Sequence, residues 1–123
     1  MKNSQSMSPH SLGVYFEEKG LLHDCSLSLR ESGRSSLVLF IQDVNLAFKG
    51  LPEYEGAASC LVQLDGVTDV EMVGNAASQK VYEASAEAVA QGAPEGTLLV
   101  TFWPEGSLKL KFSIATVTEE ATL

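Results

Sequence analysis

Apolar and polar residues alternate one by one along several stretches of this chain, most clearly in residues 97–120. A period of two is typical of a strand that buries one face. Pro104-Glu105-Gly106 interrupts this stretch and predicts a three-residue hairpin loop, because proline presets φ and glycine accepts a positive φ. The predicted hairpin pairs Phe102 with Leu108, Val100 with Leu110 and Leu98 with Phe112 on one face, and Thr101 with Lys109 on the other.

The same alternation predicts two strands in the first half of the chain. Residues 22–31 form a half-buried strand. Residues 36–48 are apolar at both parities, which is typical of a strand that is covered on both faces or that crosses from one packing environment to another. Residues 32–34 form the turn between them. A four-residue turn would shift the register by one, whereas a three-residue turn gives the pairs Leu29–Leu37, Leu27–Leu39, Cys25–Ile41 and His23–Asp43.

The second half of the chain continues the pattern less regularly. Residues 59–65 form a strand, Gly66 breaks it, and extended character resumes over residues 67–73 before a polar loop at 74–79. In residues 81–90 the alanines and glutamates favour a helix, but a period of two favours an edge strand protected by outward glutamates. We prefer the edge strand, and the helix stays as the alternative.

The N-terminal segment is the one part where a helix is predicted. Residues 1–8 are polar and are expected to fray. Ser8 followed by Pro9 opens a short helix that Gly20 ends, with a short strand near residues 14–17 as the alternative. The chain is therefore predicted to be a single all-β domain over residues 1–123: an antiparallel sandwich or open barrel of about six to seven strands built from sequential hairpins.

Composition narrows the possible partners. Sixteen acidic residues against eight basic ones give a net charge of −8, which disfavours nucleic acid and anionic membranes and suits a basic protein partner. No apolar run is long enough to span a bilayer, and residues 1–9 do not resemble a signal peptide. Cys25 and Cys60 lie in apolar runs and are expected to be free thiols, so we expect a cytoplasmic protein.

Candidate catalytic groups are sparse. His23 and Cys25 resemble a base and a nucleophile, but on a strand both point into the same packed face, while Asp24 points to the opposite one. A structural histidine is the simpler interpretation. Histidines and cysteines lack zinc-site spacing, and glycine-rich phosphate loops are absent. We therefore expect no enzyme activity, no metal and no cofactor.

Candidate binding residues lie at two places. His23, Asp24 and Asp43 converge on one sheet end if the first hairpin has the short turn. Trp103 lies beside the last hairpin turn, where it either caps the sheet or is an exposed anchor. Lys109 and Lys111 lie on the outward face of that hairpin, which also carries Leu99, Thr101, Trp103 and Ala115 and is either covered by a second layer or a contact surface.

The segment LHDCSLSLRESGRSSLVLFIQDV, residues 22–44, resembles the opening of small bacterial all-β domains in which a Leu-His-Asp segment begins the first hairpin. Several such domains have no assigned function, and others are grouped with the immunity proteins of polymorphic toxin systems. The resemblance implies a compact cytoplasmic β-domain without catalysis that neutralises a partner protein, and it marks His23 and Asp24 as positions to test.

Three functional hypotheses follow. The preferred one is a non-enzymatic bacterial interaction module, immunity-like, that binds a basic protein. The alternative is a small-molecule-binding β-domain or a small enzyme that uses His23, Asp24 and Asp43. The third is a homo-oligomer that forms through the exposed edge strand at residues 81–90.

Overall fold

The computed structural model describes residues 2–31, 33–74, 78–90 and 93–121. These residues form nine strands, one α-helix and two short 3-10 turns at Gly20–Leu22 and Leu46–Phe48. The predicted all-β fold with a short N-terminal helix is confirmed. In chain order the elements are β1 Lys2–Met7, α1 Pro9–Glu18, β2 Ser26–Glu31, β3 Ser36–Ile41, β4 Ala58–Asp65, β5 Thr68–Val73, β6 Ser78–Ala88, β7 Gly96–Trp103, β8 Ser107–Phe112 and β9 Ile114–Ala121.

All nine strands belong to one open antiparallel sheet in the order β1-β9-β4-β3-β2-β6-β7-β8-β5. The sheet divides into two halves at β2 and β6, which pair only through Ser26–Ser28 and Ser78–Lys80. The chain crosses between the halves twice, from β4 to β5 and from β8 to β9. At this corner the Ser113 backbone N–H donates to the Asp65 carbonyl at 2.9 Å. The two crossings keep both halves around one core.

The core takes alternate side chains from both halves and one stripe of α1. Burial of this apolar surface is the main stabilising contribution in a domain of this size. The largest fully buried side chains are Leu12, Phe16, Leu22, Leu27, Leu39, Ile41, Val44, Leu64, Leu98, Leu108, Leu110 and Phe112.

Helix α1 begins and ends as the sequence predicts. The Ser8 hydroxyl accepts a hydrogen bond from the Ser11 backbone N–H at 3.2 Å, and Pro9 occupies the first helical position. Lys19 caps the other end, and Gly20 follows at φ +67°. The alternative strand near residues 14–17 is therefore wrong.

Gly13 lets α1 approach β6 more closely than a side chain would allow. A Cβ at this position would overlap the carbonyl oxygen of Ala86 in β6. β6 pairs with β2 only up to Lys80, so α1 packs where β6 has no second strand beside it. The glycine that weakens helix propensity is therefore required by packing.

The last hairpin forms with a register two residues away from the predicted one. Leu108 pairs with Val100 and Leu110 with Leu98. The Phe102 backbone N–H donates to the Gly106 carbonyl at 2.9 Å, so the loop comprises residues 103–105. A two-residue shift leaves every side chain on its predicted face, because strand side chains alternate with a period of two. Apolar residues therefore still meet apolar residues.

The first hairpin is also shifted by two residues, with Leu27 opposite Ile41 and Leu29 opposite Leu39. β2 begins at residue 26 rather than 22, and β3 ends at residue 41 rather than 48. The outward side chain of Phe40 is only half-buried, with the Arg30 guanidinium 5.0 Å from its ring centroid. The expected full cover on both faces of this strand is therefore wrong.

Three further expectations change. Residues 2–7 form β1 on the edge beside β9, rather than a frayed segment. Residues 78–88 form β6, a strand as preferred; β2 pairs with its first three residues and α1 lies beside the rest, so the open side of β6 is covered by a helix. The two ends of the sheet order are β1 and β5. The predicted loop at 74–79 lies partly outside the described residues, because 75–77 are not described and β6 begins at Ser78. The nine strands exceed six or seven because β1 was not expected and Ser113 separates β8 from β9.

Replacing Gly13 by alanine tests the packing of α1 on β6. The added Cβ would meet backbone, so α1 must move away, and we expect the free energy of unfolding to fall by about 2 kcal/mol in denaturant titrations. Glu17→Ala on the exposed side of α1 is the control, with an expected change within about 0.5 kcal/mol. Helix propensity alone predicts stabilisation of about 1 kcal/mol for Gly13→Ala, so a gain in stability contradicts this packing.

Candidate functional site

His23 does not lie on a strand. It follows the turn at Gly20–Leu22, and Asp24 after it has φ +72°, so the extended run expected from residue 22 is broken. The His23 side chain is half-exposed, its ring meets the Tyr82 ring edge-on, and its Nδ1–H donates to the Tyr82 carbonyl at 2.8 Å. The inward position predicted for His23 is wrong, because left-handed backbone conformations turn it to the surface.

Asp24 lies beside His23 rather than on an opposite face. Its Oδ1 is 3.7 Å from His23 Nε2 and 3.5 Å from Lys80 Nζ. All three side chains are about half-exposed, so these ion pairs contribute little to stability. The cluster adds a hydrogen-bonding surface next to Tyr82.

Asp43 is used to shape the connection between β3 and β4. Its Oδ1 accepts from the backbone N–H groups of Asn45 at 3.0 Å and Ala58 at 3.2 Å, and its Oδ2 accepts from the Tyr54 hydroxyl at 2.8 Å. This hydrogen bond raises the pKa of Tyr54, because the carboxylate favours the protonated phenol. Asp43 therefore anchors the connection between β3 and β4. His23 and Asp24 form separate contacts, with Tyr82 and Lys80 respectively.

The connection between β3 and β4 is also hydrogen-bonded to the end of α1. Asn45 is buried, donates through Nδ2 to the Gly56 carbonyl at 2.9 Å and accepts through Oδ1 from Lys19 Nζ at 3.0 Å. Beside Asp43 lies an open groove of about 490 Å³. Among the residues that line it are Ser26, Phe40, Leu46, Lys49, Tyr54 and Ser59.

Both cysteine thiols are protonated, and each contacts a polar group. Cys25 Sγ donates to the Asp43 carbonyl at 3.1 Å, and burial, followed by the charge of Asp43, raises its pKa to about 12. Burial raises the pKa of Cys60 to about 11, and this thiol lies 3.6 Å from the Tyr15 hydroxyl. A nucleophilic cysteine requires the opposite shift. Within the described ranges, no three His, Cys, Asp or Glu side chains are arranged to hold a metal ion.

The outer face of β5 to β8 is the surface on which most of the predicted binding residues meet. Antiparallel pairing sets Trp103 opposite Lys80, Leu99 opposite Lys109, and Lys109 opposite Glu71. We define the outer face by its exposed and half-exposed members: Glu71, Val73, Lys80, Tyr82, Glu83, Ser85, Glu87, Thr97, Leu99, Thr101, Trp103, Ser107, Lys109 and Lys111.

Trp103 is 61% exposed and Tyr82 is 49% exposed on this face. The expectation that Trp103 caps the sheet is therefore wrong, and no second layer within the described residues covers the outer face. Lys111 forms an ion pair with Asp69 at 3.4 Å. Ala115 was expected here but is fully buried, because the chain crosses to the other half at Ser113.

The predicted site residues therefore separate into two groups. Trp103, Lys109 and Lys111 lie on the outer face, and His23 and Asp24 adjoin it through Tyr82 and Lys80. Asp43 forms the second group by itself, because it shapes the connection between β3 and β4. Sequence reasoning missed Tyr82, which a strict period of two places inward. A register irregularity between Val81 and Glu83 turns it outward, and no residue type in that segment signals this.

No family model, curated protein or solved structure matches this chain. In the parts of the chain that the structure describes, no helix has the length and apolar character needed to cross a membrane.

Thiol reactivity tests the assignment of both cysteines. With a pKa of about 12 for Cys25, about one thiol in ten thousand is ionised at pH 8. We expect the folded protein to react with Ellman's reagent far more slowly than the same protein in guanidinium chloride, where both thiols react. Rapid reaction of one thiol in the folded protein would indicate an activated nucleophile.

Substitutions at Asp43 test its anchoring role. Asp43→Ala leaves two backbone N–H groups without their acceptor and is expected to destabilise the protein by about 2 kcal/mol. Asp43→Asn keeps one oxygen acceptor and should be milder, and Tyr54→Phe should be milder still because it removes only the surface hydrogen bond. The order is read from thermal unfolding, and equal stability for all three variants contradicts the assignment.

Proposed function

We propose that this protein is a non-enzymatic protein–protein interaction module that binds a basic protein through the outer face. The observation that carries the proposal is the 61% exposure of Trp103, the single tryptophan of the chain, at the end of β7 on a charged and hydroxyl-rich surface. Trp and Tyr are enriched among the residues that dominate binding energy at interfaces. A strand end that needed only solubility would not expose so large an apolar side chain.

The charge of the protein supports a basic partner. The chain carries a net charge of −8. On the outer face, the register partner of Glu83 is Thr101 and that of Glu87 is Thr97, so neither glutamate faces a lysine across the strand. The three glutamates and three lysines of the outer face balance one another, so it is the net charge of the whole chain that steers a basic partner and accelerates association at low ionic strength.

The role that fits such a module is neutralisation of a harmful protein in the bacterial cytoplasm, as the resemblance of residues 22–44 implies. Two buried thiols without a disulfide between them are consistent with a reducing compartment. The half-exposed His23 and Asp24 adjoin the outer face through Tyr82 and add polar groups to its rim. Protonated thiols and a fully engaged Asp43 support a role without catalysis.

The proposal is tested with Trp103→Ala and a matched control, Leu51→Ala, which removes an equally exposed apolar side chain from the connection between β3 and β4. We expect the wild type and Leu51→Ala to retain one basic protein from a lysate of the source organism. Trp103→Ala should lose most of it, since truncation of an interface anchor costs about 2 kcal/mol or more. The complex is then rebuilt from purified components and measured by calorimetry.

Two results would reject the proposal. One is retention of no protein above background by the wild type. The other is a partner held equally by Trp103→Ala, which would place the interface elsewhere. A monomer that instead binds a small molecule in the groove beside Asp43 would favour the ligand-binding alternative.

A further inference from the structure

We infer that the partner adds an extended, cationic segment as a tenth strand on the free edge of β5. This inference rests on the proposed function and specifies how the basic partner docks. β5 is the last strand of the sheet order and, among the described residues, pairs only with β8. All six of its residues are exposed. An open edge offers a row of backbone donors and acceptors that an extended peptide can pair with.

The side chains of β5 are unusual for an edge that only faces water. Val73 is 65% exposed, Val70 is 53% exposed and Met72 is 39% exposed. The opposite edge differs, because the exposed residues described on β1 are Ser4, Gln5 and Ser6. Valine favours strand pairing, so β5 is the edge better suited to accept another strand.

The pairing with β8 defines what the added strand must look like. Glu71 lies opposite the exposed Lys109 and so faces outward, whereas Met72 lies opposite the buried Leu108 and faces inward. A complementary strand therefore alternates between cationic side chains on the outward side, beside Glu71, and apolar side chains on the inward side.

An irregularity in β5 makes this edge selective. The register with β8 shifts between Thr68 and Glu71, and Asp69 adopts φ +53°. A recess of about 440 Å³ opens there, and Asp69, Val70, Glu71, Lys109 and Lys111 are among the residues that line it. Bulges and charges on an edge suppress indiscriminate pairing. Asp69 already pairs with Lys111, so Glu71 is the acidic side chain of β5 that a cationic side chain of the added strand would contact.

A second copy of this chain fits the edge poorly. Each copy carries a net charge of −8. Antiparallel pairing of two β5 strands would bring Asp69 and Glu71 of both copies together, and like charges across strands are destabilising. The expected oligomer through residues 81–90 is also disfavoured, since α1 packs along the side of β6 that has no second strand beside it. The charge pattern thus favours a basic partner over self-association.

The probe for this edge is an eight-residue peptide of alternating lysine and valine. A lysine–proline peptide of equal charge is the control, because proline cannot supply the backbone N–H groups that strand pairing needs. Hydrogen exchange is followed by NMR on the full chain. We expect the lysine–valine peptide to slow exchange of the backbone amides of residues 68–73, and the lysine–proline peptide to leave them unchanged.

Charge variants locate the interaction. Glu71→Lys should weaken binding of the lysine–valine peptide about ten-fold. Glu17→Lys makes the same change in net charge on α1, away from the outer face, and should weaken binding by no more than about two-fold through the long-range field. Glu71→Gln removes the charge without placing two lysines opposite each other, so it separates loss of binding from loss of folding.

Equal protection by both peptides, or equal effects of Glu71→Lys and Glu17→Lys, would overturn the inference in favour of charge attraction alone. Protection of residues 68–73 that rises with protein concentration in the absence of peptide would overturn it in favour of self-pairing. A natural partner that requires Trp103 but leaves the β5 amides exchanging would overturn the inference and leave the proposed function intact. Absence of any partner would reject both.

Discussion

The close contact between α1 and β6 is the constraint on which the rest of the molecule depends. Gly13 brings the helix backbone against Ala86, while on the other side the Tyr15 hydroxyl reaches Cys60 in β4 and Lys19 forms an ion pair with Glu119 in β9 at 3.5 Å. One helix therefore contacts both halves of a sheet whose direct pairing at the centre is short. Without this bridge, the two halves would be joined by the short β2–β6 pairing and by the corner at Ser113.

This arrangement decides which surface is available for binding. The core buries the inner faces of both halves and the stripe of α1 that carries Leu12 and Phe16. The groove beside Asp43 is framed by a connection whose polar groups already bond one another. The outer face of β5 to β8 and the edge of β5 stay open, with Trp103, Tyr82 and Val73 exposed. We propose that this outer surface of the sheet is where the partner binds.

Alternation along the chain predicts which side of each strand is buried, because that property depends only on neighbouring residues. Leu98, Val100 and Leu110 all lie on their expected face, even though the register of their hairpin is shifted by two. Register depends on how the loop closes, and the Phe102–Gly106 hydrogen bond is not encoded in the alternation. Strand order is a long-range property, and so is the packing of α1 on the side of β6 that has no second strand, so alternation reveals neither.

The candidate site was predicted in part for the same reason. Lys109 and Lys111 follow from alternation, and so does the outward position of Trp103. His23 does not, because the positive φ values at Leu21, Leu22 and Asp24 end the extended run and residue type does not reveal them. Asp43 has the composition of a strand-end site residue, yet its acceptors are satisfied by its own connection.

We propose that the outer face is the partner-binding surface. Hydroxyl-radical footprinting of the purified complex tests it most directly, since oxidation reports side-chain exposure at Trp103, at Tyr82 and, beside the groove, at Tyr54. We expect Trp103 and Tyr82 to become protected from oxidation when the basic partner binds, while Tyr54 reacts as in the free protein. Protection of Tyr54 with Trp103 still fully reactive would contradict it.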